Sequence, residues 1–279
     1  MSDGEKLNHE SPELTEKELE KAEERTAPRA NVIHEAILRE GEEELTRPTS
    51  ALAWSALAAG LSMGFSMLAE AFLAARLPDA PWRPLIAKFG YSVGFLIVIL
   101  GRQQLFTENT LTSILPLLQH RSLRVFGHVL RLWTVVLLAN LVGTLLMAWL
   151  VGKTSTFDAP THVELTRISR EALEAGFGAM LWKAIFAGWL IALMVWLLPL
   201  SEGARPHVII ILTYLIGIGA LSHVIAGSAE VLYGVMREQA TWGEYFGRFL
   251  IPTLLGNIIG GVSLVAAINH AQVVSGNEQ

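Results

Sequence analysis

The chain has 279 residues, a net charge of −5, 52% hydrophobic types, 17% charged types and no cysteine. An average soluble domain carries roughly 25% charge, so this chain is charge-poor, and the missing cysteine excludes a disulfide framework, thiolate metal sites and cysteine catalysis. Residues 1–47 hold 14 acids and 7 bases, which leaves the other 232 residues only weakly basic and excludes a polybasic nucleic-acid binder.

Residues 1–48 read as an acidic N-terminal tail. The first thirty, rich in Glu, Lys, Ser and Pro, are too polar to bury a core and are expected to be disordered. Over 31–45, Val32, Ile33, Ala36 and Ile37 share one side at i, i+4 spacing. This predicts a short amphipathic helix lying against the body before Pro48 breaks the chain. A solvated helix of no consequence is the alternative. The first apolar run starts behind this acidic stretch, which argues against a signal peptide.

From Ala51 onward, apolar runs alternate with short polar breaks. A bilayer core of about 30 Å takes roughly 20 apolar residues to cross as a helix. Runs at about 51–75, 86–118, 127–151, 179–200, 207–236 and 249–273 meet that length, the second and fifth with interruptions. They are apolar on nearly every face rather than striped, which points to lipid and not to a soluble helical core. The expected fold class is therefore an all-α integral membrane protein of six transmembrane helices, forming a transport domain over 49–273 with a short tail at 274–279. Lys and Arg near the span ends number five on the tail side and eight opposite, so charge alone leaves the orientation open.

The two halves of the body resemble each other. Trp54-Ser-Ala-Leu-Ala-Ala-Gly60 and Trp182-Lys-Ala-Ile-Phe-Ala-Gly188 share Trp-x-Ala-x-x-Ala-Gly. Asn140-Leu-Val-Gly143 and Asn257-Ile-Ile-Gly260 share Asn-apolar-apolar-Gly. Matches in the same order predict a duplicated three-helix unit, about 51–151 and 179–273. Three crossings per unit is odd, so the copies are expected to be inverted in the membrane, with a site between them near the midplane. Polar stretches interrupt the second and fifth runs, at Gly101-Arg-Gln-Gln-Leu-Phe-Thr-Glu-Asn109 and Gly217-Ile-Gly-Ala-Leu-Ser-His-Val-Ile-Ala-Gly227. Irregular backbone at membrane depth survives only inside protein or along a cavity. A broken helix there also presents free N–H groups that attract anions.

Over about residues 31–273 the sequence resembles the formate–nitrite transporter family. The specific parts are Leu105-Phe106-Thr107, the apolar stretch ending in Trp196, Ser222-His223, and Gly256-Asn-Ile-Ile-Gly-Gly261. The resemblance implies an aquaporin-like protomer of six helices with broken second and fifth, five protomers in a ring, and one pore in each. It also implies a multi-pass protein of the inner membrane with both termini in the cytoplasm. It makes His223 the central pore histidine, Thr107 the residue facing it, and Tyr91, Phe95 and Ile216 the constriction, with Leu105, Phe106 and Ser222 beside them. A histidine with an ordinary pKa near 6.5 could attract an anion as imidazolium or supply the proton that neutralises it.

The departures from the family pattern matter as well. Arg102, Gln103 and Gln104 stand where small residues and an acid are usual, and Gly188 and Gly227 where asparagine is usual. Those at Arg102, Gln104, Gly188 and Gly227 are expected to tune selectivity. Arg102 reads as a buried cation with Glu108 or Glu230 as partner, or as a residue that merely holds the loop. Lys183 and Glu70, near span ends, are expected to snorkel. No metal-ligand spacing, cofactor motif or phosphate-binding loop is present, and no nucleophile–base pair suggests an enzyme. The leading expectation is passive or proton-coupled transport of a small monovalent anion or its conjugate acid by a membrane-embedded homo-oligomer. A pore for a neutral solute and a non-transporting sensor or scaffold are the alternatives.

Overall fold

The computed structural model describes residues 15, 17–18, 29–201, 203–268 and 271–272. Nearly all of the segment expected to be disordered, and the whole 274–279 tail, lie outside these. Among the described residues every regular element is helical. Helix α1 (Ala30–Thr46) precedes α2 (Thr49–Arg76), and a short α3 (Arg83–Ala87) leads through a 3-10 turn (Lys88–Tyr91) into α4 (Ser92–Leu100). Then come α5 (Phe106–Thr112), α6 (Ile114–His120), α7 (Leu123–Lys153), α8 (Ala159–Glu171) and α9 (Phe177–Leu197). Helices α10 (Arg205–Ile218), α11 (Val224–Met236), α12 (Trp242–Glu244) and α13 (Ile251–Ile259) follow.

Among the described residues, five stretches are long and apolar enough to cross a membrane: Thr49–Arg76, Arg83–Leu100, Leu123–Lys153, Phe177–Leu200 and Trp242–Ser263. Two further apolar helices, Arg205–Ile218 and Val224–Met236, are shorter. The 207–236 run thus folds as two half-length helices, α10 and α11, and the 86–118 run likewise divides into α4 and α5. The last stretch is not uniformly α-helical, since Tyr245–Leu250 and Gly260–Ala267 are π-helical. Pro252, at the start of α13, has no N–H to continue the α pattern, and the wider i→i+5 turn accommodates that loss.

Small residues set how closely the helices cross. A Cβ on Gly60 of α2 would stand 2.2 Å from the Asn140 carbonyl oxygen of α7, and one on Gly143 would stand 2.6 Å from the Leu57 carbonyl oxygen. In the second half, a Cβ on Gly188 of α9 would stand 2.4 Å from the Asn257 carbonyl oxygen of α13. Lipid chains are as apolar as leucine, so close backbone packing of this kind stabilises a membrane bundle where hydrophobic burial cannot. Outward from it, Trp54 and Trp182 are exposed at matching positions.

Helix α1 lies against α5 and α6. Its buried stripe is Ile33, His34, Ile37, Leu38, Gly41 and Leu45, while Val32 and Ala36, expected beside Ile33 and Ile37, are exposed. Gly41 makes the approach possible, since a Cβ there would overlap the Thr112 carbonyl oxygen. The end of α1 is tied down by Arg131, whose guanidinium donates to the carbonyls of Leu45 (2.8 Å) and Arg47 (3.1 Å). His120 and Glu42 add a contact at 2.6 Å.

Candidate functional site

The two interruptions have the same local structure. Helix α4 ends with the Arg102 N–H bonded to the Ile99 carbonyl and the Gln103 N–H to the Val98 carbonyl. Helix α10 ends with the Ala220 N–H bonded to the Gly217 carbonyl and the Leu221 N–H to the Ile216 carbonyl. These are Schellman closures, which need a left-handed residue. Arg102 (φ 53°) and Ala220 (φ 47°) supply it without being glycine. The chain then runs extended through Leu105 (φ −107°, ψ 127°) and His223 (φ −109°, ψ 126°) and enters α5 and α11.

One buried asparagine clamps each break. Asn140 accepts from the Phe106 N–H (2.9 Å) and donates to the carbonyls of Ala56 (2.7 Å) and Gln104 (2.9 Å). Asn257 accepts from the Val224 N–H (2.8 Å) and donates to the carbonyls of Ala184 (2.8 Å) and Ser222 (3.0 Å). Each amide uses its acceptor on the first N–H of the half-helix and one donor on a carbonyl of the break, groups that no helix ladder satisfies, and its second donor on a carbonyl of a long helix. This is the physical content of the Asn-apolar-apolar-Gly match.

The two breaks meet at His223 and Thr107. His223 Nε2 lies 2.7 Å from Thr107 Oγ1, and both side chains are buried. His223 Nδ1 accepts the Ala226 N–H at 3.1 Å, so the ring caps α11. An N–H can only bond to an unprotonated nitrogen, which assigns the ring proton to Nε2 and the donor role toward Thr107 to the imidazole. Phe95 packs edge-on to the ring at 5.0 Å between centroids, and Tyr91 packs on Phe95 at 5.4 Å. Phe106 turns away from the histidine and packs edge-on against Trp133 at 5.8 Å, while its N–H is the one held by Asn140. Leu105 is buried as the N-cap of α5, and Gln104 is buried with its side-chain carbonyl accepting from Asn109 at 3.0 Å.

Two cavities lie along the breaks, one lined by His223 and the other by Leu105 and Glu108, the neighbours of Thr107. The one toward α1 measures about 480 Å³, and Glu40, Glu44, Arg102, Leu105, Glu108 and Arg205 are among the residues lining it. In α1, burial pushes the Glu44 carboxyl above the usual carboxylate range, with Arg47 pulling against it. The cavity on the far side measures about 60 Å³, room for a few waters. Tyr91, Ile216, Ser222 and Gly227 line it together with His223, and the Ser222 hydroxyl lies 2.9 Å from Met180 Sδ.

Three sequence expectations need correction. Arg102 is not a buried cation: its side chain is 72% exposed and pairs with Glu40 of α1 at 2.8 Å, not with Glu108 or Glu230. The left-handed turn points it out to the cavity rim, where α1 supplies the partner. Glu70 does not snorkel; it is fully buried, with Lys88 Nζ at 2.6 Å. Gly188 lines neither cavity, because its missing side chain is what lets α9 reach the Asn257 backbone. Gly227, by contrast, makes room for an aromatic ring, since a Cβ there would stand 2.5 Å from Phe249 Cζ. Sequence reasoning missed Phe249 and Lys88 in the far cavity. For Lys88 a signal existed, an ionisable residue inside an apolar run.

A helical membrane protein whose two broken helices meet at a buried histidine, with cavities along the breaks, falls in the class of channels and carriers built on discontinuous helices. Comparison with known proteins is more specific. The chain belongs to the formate/nitrite transporter family, whose sequence profile, described as "Formate/nitrite transporter", matches residues 31–271. It is 43% identical over 257 residues to the Inner membrane protein YfdC of Escherichia coli (strain K12), covering 92% of this chain and 83% of that protein. It is 24% identical over 242 residues to the Formate channel BtFdhC of Bacillus thuringiensis, covering 84% and 91%. Among solved structures, an FNT family ion channel superposes with a TM-score of 0.73 at 20% identity, over 87% of this chain and 98% of that one. A pentameric formate channel with formate bound superposes at 0.66 and 19%, over 81% and 98%.

Proposed function

We propose that this protein conducts a small monovalent anion of the formate or nitrite type, or its conjugate acid, through a pore in each protomer. The path runs between the two cavities past Thr107 and His223, with Tyr91, Phe95 and Ile216 narrowing it. On this reading six crossings form an inverted repeat over 51–151 and 179–273, behind a separate tail of residues 1–48. Five protomers form the ring, and both termini face the cytoplasm at the inner membrane. Family membership and the likeness to a formate channel support the substrate class. The observation that carries the path is the 2.7 Å His223–Thr107 contact where two helix N-termini converge.

The chemistry follows from that contact. A bare anion in a narrow apolar passage faces a large desolvation cost that a neutral acid avoids. The two N-terminal helix ends and the imidazole N–H offer partial positive charge without a full cation. Partial charge of this kind holds an acid or a briefly bound anion without trapping it. Radiolabelled formate uptake into proteoliposomes between about pH 5 and 8, competed with nitrite and acetate, tests this reading in the histidine range. Saturable uptake that rises toward acid pH is the expected result. Uptake of none of the three solutes would refute it, and uptake flat with pH would favour a neutral-solute pore.

A further inference from the structure

The far cavity holds ionisable groups that the path described above does not use. On α11, His223, Gly227 and Glu230 follow at i, i+4 and i+7, so they share one face, and all three line the cavity. Glu230 lies seven residues beyond His223, roughly 10 Å along the helix axis. Gly227 stands between them with the Phe249 ring seated against it. The order from outside inward is therefore carboxyl, aromatic neck, imidazole.

The surrounding charges are mostly taken. Lys88, on the 3-10 turn after α3, pairs with the buried Glu70 of α2 at 2.6 Å. Arg167 of α8 pairs with Glu164 at 2.7 Å and with Glu171, and Arg83 reaches Glu164 at 3.1 Å. Lys183 of α9 lines the cavity with no acidic partner among the described residues. Glu230 likewise has neither a hydrogen bond nor an ion pair from its carboxyl among the described residues. It is thus the lining carboxyl left free to exchange protons with water, while Lys183 gives an incoming anion a counter-charge.

We propose that Glu230 is the proton-loading residue of the far cavity, protonating the anion before it reaches the Phe249 neck. This deepens the transport reading and rests on it. In the step, the Glu230 carboxylic acid gives its proton to a carboxylate such as formate, leaving Glu230 as carboxylate and forming formic acid. The neutral acid passes Phe249 toward His223, and Glu230 regains a proton from hydronium on its own side. One proton moves with each anion.

The test uses the full-length protein in proteoliposomes, with wild type, Glu230→Gln and Glu230→Asp compared for formate uptake across the same pH range and for assembly by size exclusion. Glu230→Gln is expected to lower acid-stimulated uptake about a hundredfold, the low end for a positioned proton donor. Glu230→Asp, which keeps the proton on a shorter arm, retains acid stimulation at a reduced rate. Wild-type rate and pH profile in Glu230→Gln would overturn the proposal, as would equal loss in both variants. Should Glu230→Gln not assemble, loss of acid stimulation in assembled Glu230→Asp overturns it alone. A wild type that takes up no formate, nitrite or acetate would instead remove the transport reading, and this inference with it.

Discussion

Replacing Asn257 by alanine removes three hydrogen bonds at once from the second break. The Ala184 carbonyl belongs to α9 and keeps its helical neighbours, but the Val224 N–H and the Ser222 carbonyl lie at the break, where no ladder reaches them. Two orphaned buried groups at about 1–3 kcal/mol each give a loss of about 2–6 kcal/mol. At the ~2–4 °C per kcal/mol of large domains, this lowers the melting midpoint by about 10 °C. The assay is thermal survival of the detergent-solubilised assembly by size exclusion. Asn140→Ala serves as an internal replica, because Asn140 makes the same three bonds at the first break. The two losses should agree within about 1 kcal/mol, the spread expected for matched groups. A shift under about 1 °C in either variant, well below what one unsatisfied group costs, would refute the assignment of the amides as the clamps.

Gly188→Ala should destabilise by about 1–3 kcal/mol through overpacking against the Asn257 backbone, whereas Gly178→Ala, in the first turn of the same helix with nothing within 4 Å of the added carbon, should not destabilise in the same melt. Thr107→Val leaves the His223 N–H unpaired and should cost about 1–3 kcal/mol together with a loss of uptake; normal flux would remove the pair from the path. Ala220 already bears the roughly 1–2 kcal/mol that a left-handed φ costs a residue with a Cβ, so Ala220→Gly should raise the melting midpoint, while Ala220→Val, adding β-branching at that φ, should lower it in the same thermal assay. Asp158 caps α8, and the Thr161 hydrogen bonds hold its carboxyl below the usual range. Its contribution is present above the ordinary carboxylate pKa and is lost as pH falls through the depressed one, so hydrogen exchange in the first turn of α8 should rise only in strong acid.

The two asparagine clamps and the breaks they hold were legible in the sequence. Asn140 and Asn257, with glycine three residues on, mark the clamps because a buried amide in an apolar run must find partners. The breaks around Arg102 and His223 were visible as polar interruptions. What failed was direction. Arg102 in an apolar run reads as buried, yet a left-handed turn sends it outward, and a φ angle leaves no mark on a residue that is not glycine. Its partner Glu40 sits on α1, some sixty residues earlier in the chain, and spacing along the sequence carries no information about that pairing. The Glu70–Lys88 pair is hidden for the same reason, since the two residues reach each other across α2 and the start of the broken run. Gly188 was misread because a glycine facing a backbone and a glycine facing a cavity look alike in sequence. Only the atoms beyond the missing Cβ separate it from Gly227.

The asparagine clamps also set an order of assembly. Each lies downstream of the break it satisfies, by 34 residues from Phe106 to Asn140 and by 33 from Val224 to Asn257. A ribosome-bound chain therefore emerges with the interrupted segment first, and that segment has open backbone groups which hydrocarbon cannot solvate. It cannot settle as a finished crossing until the following long helix arrives beside it. The first break, between α4 and α5, is then expected to close once α7 has emerged, before α9 is made. The second break, between α10 and α11, has to wait in the same way for Asn257 in α13, and its helix then docks on the already present α7.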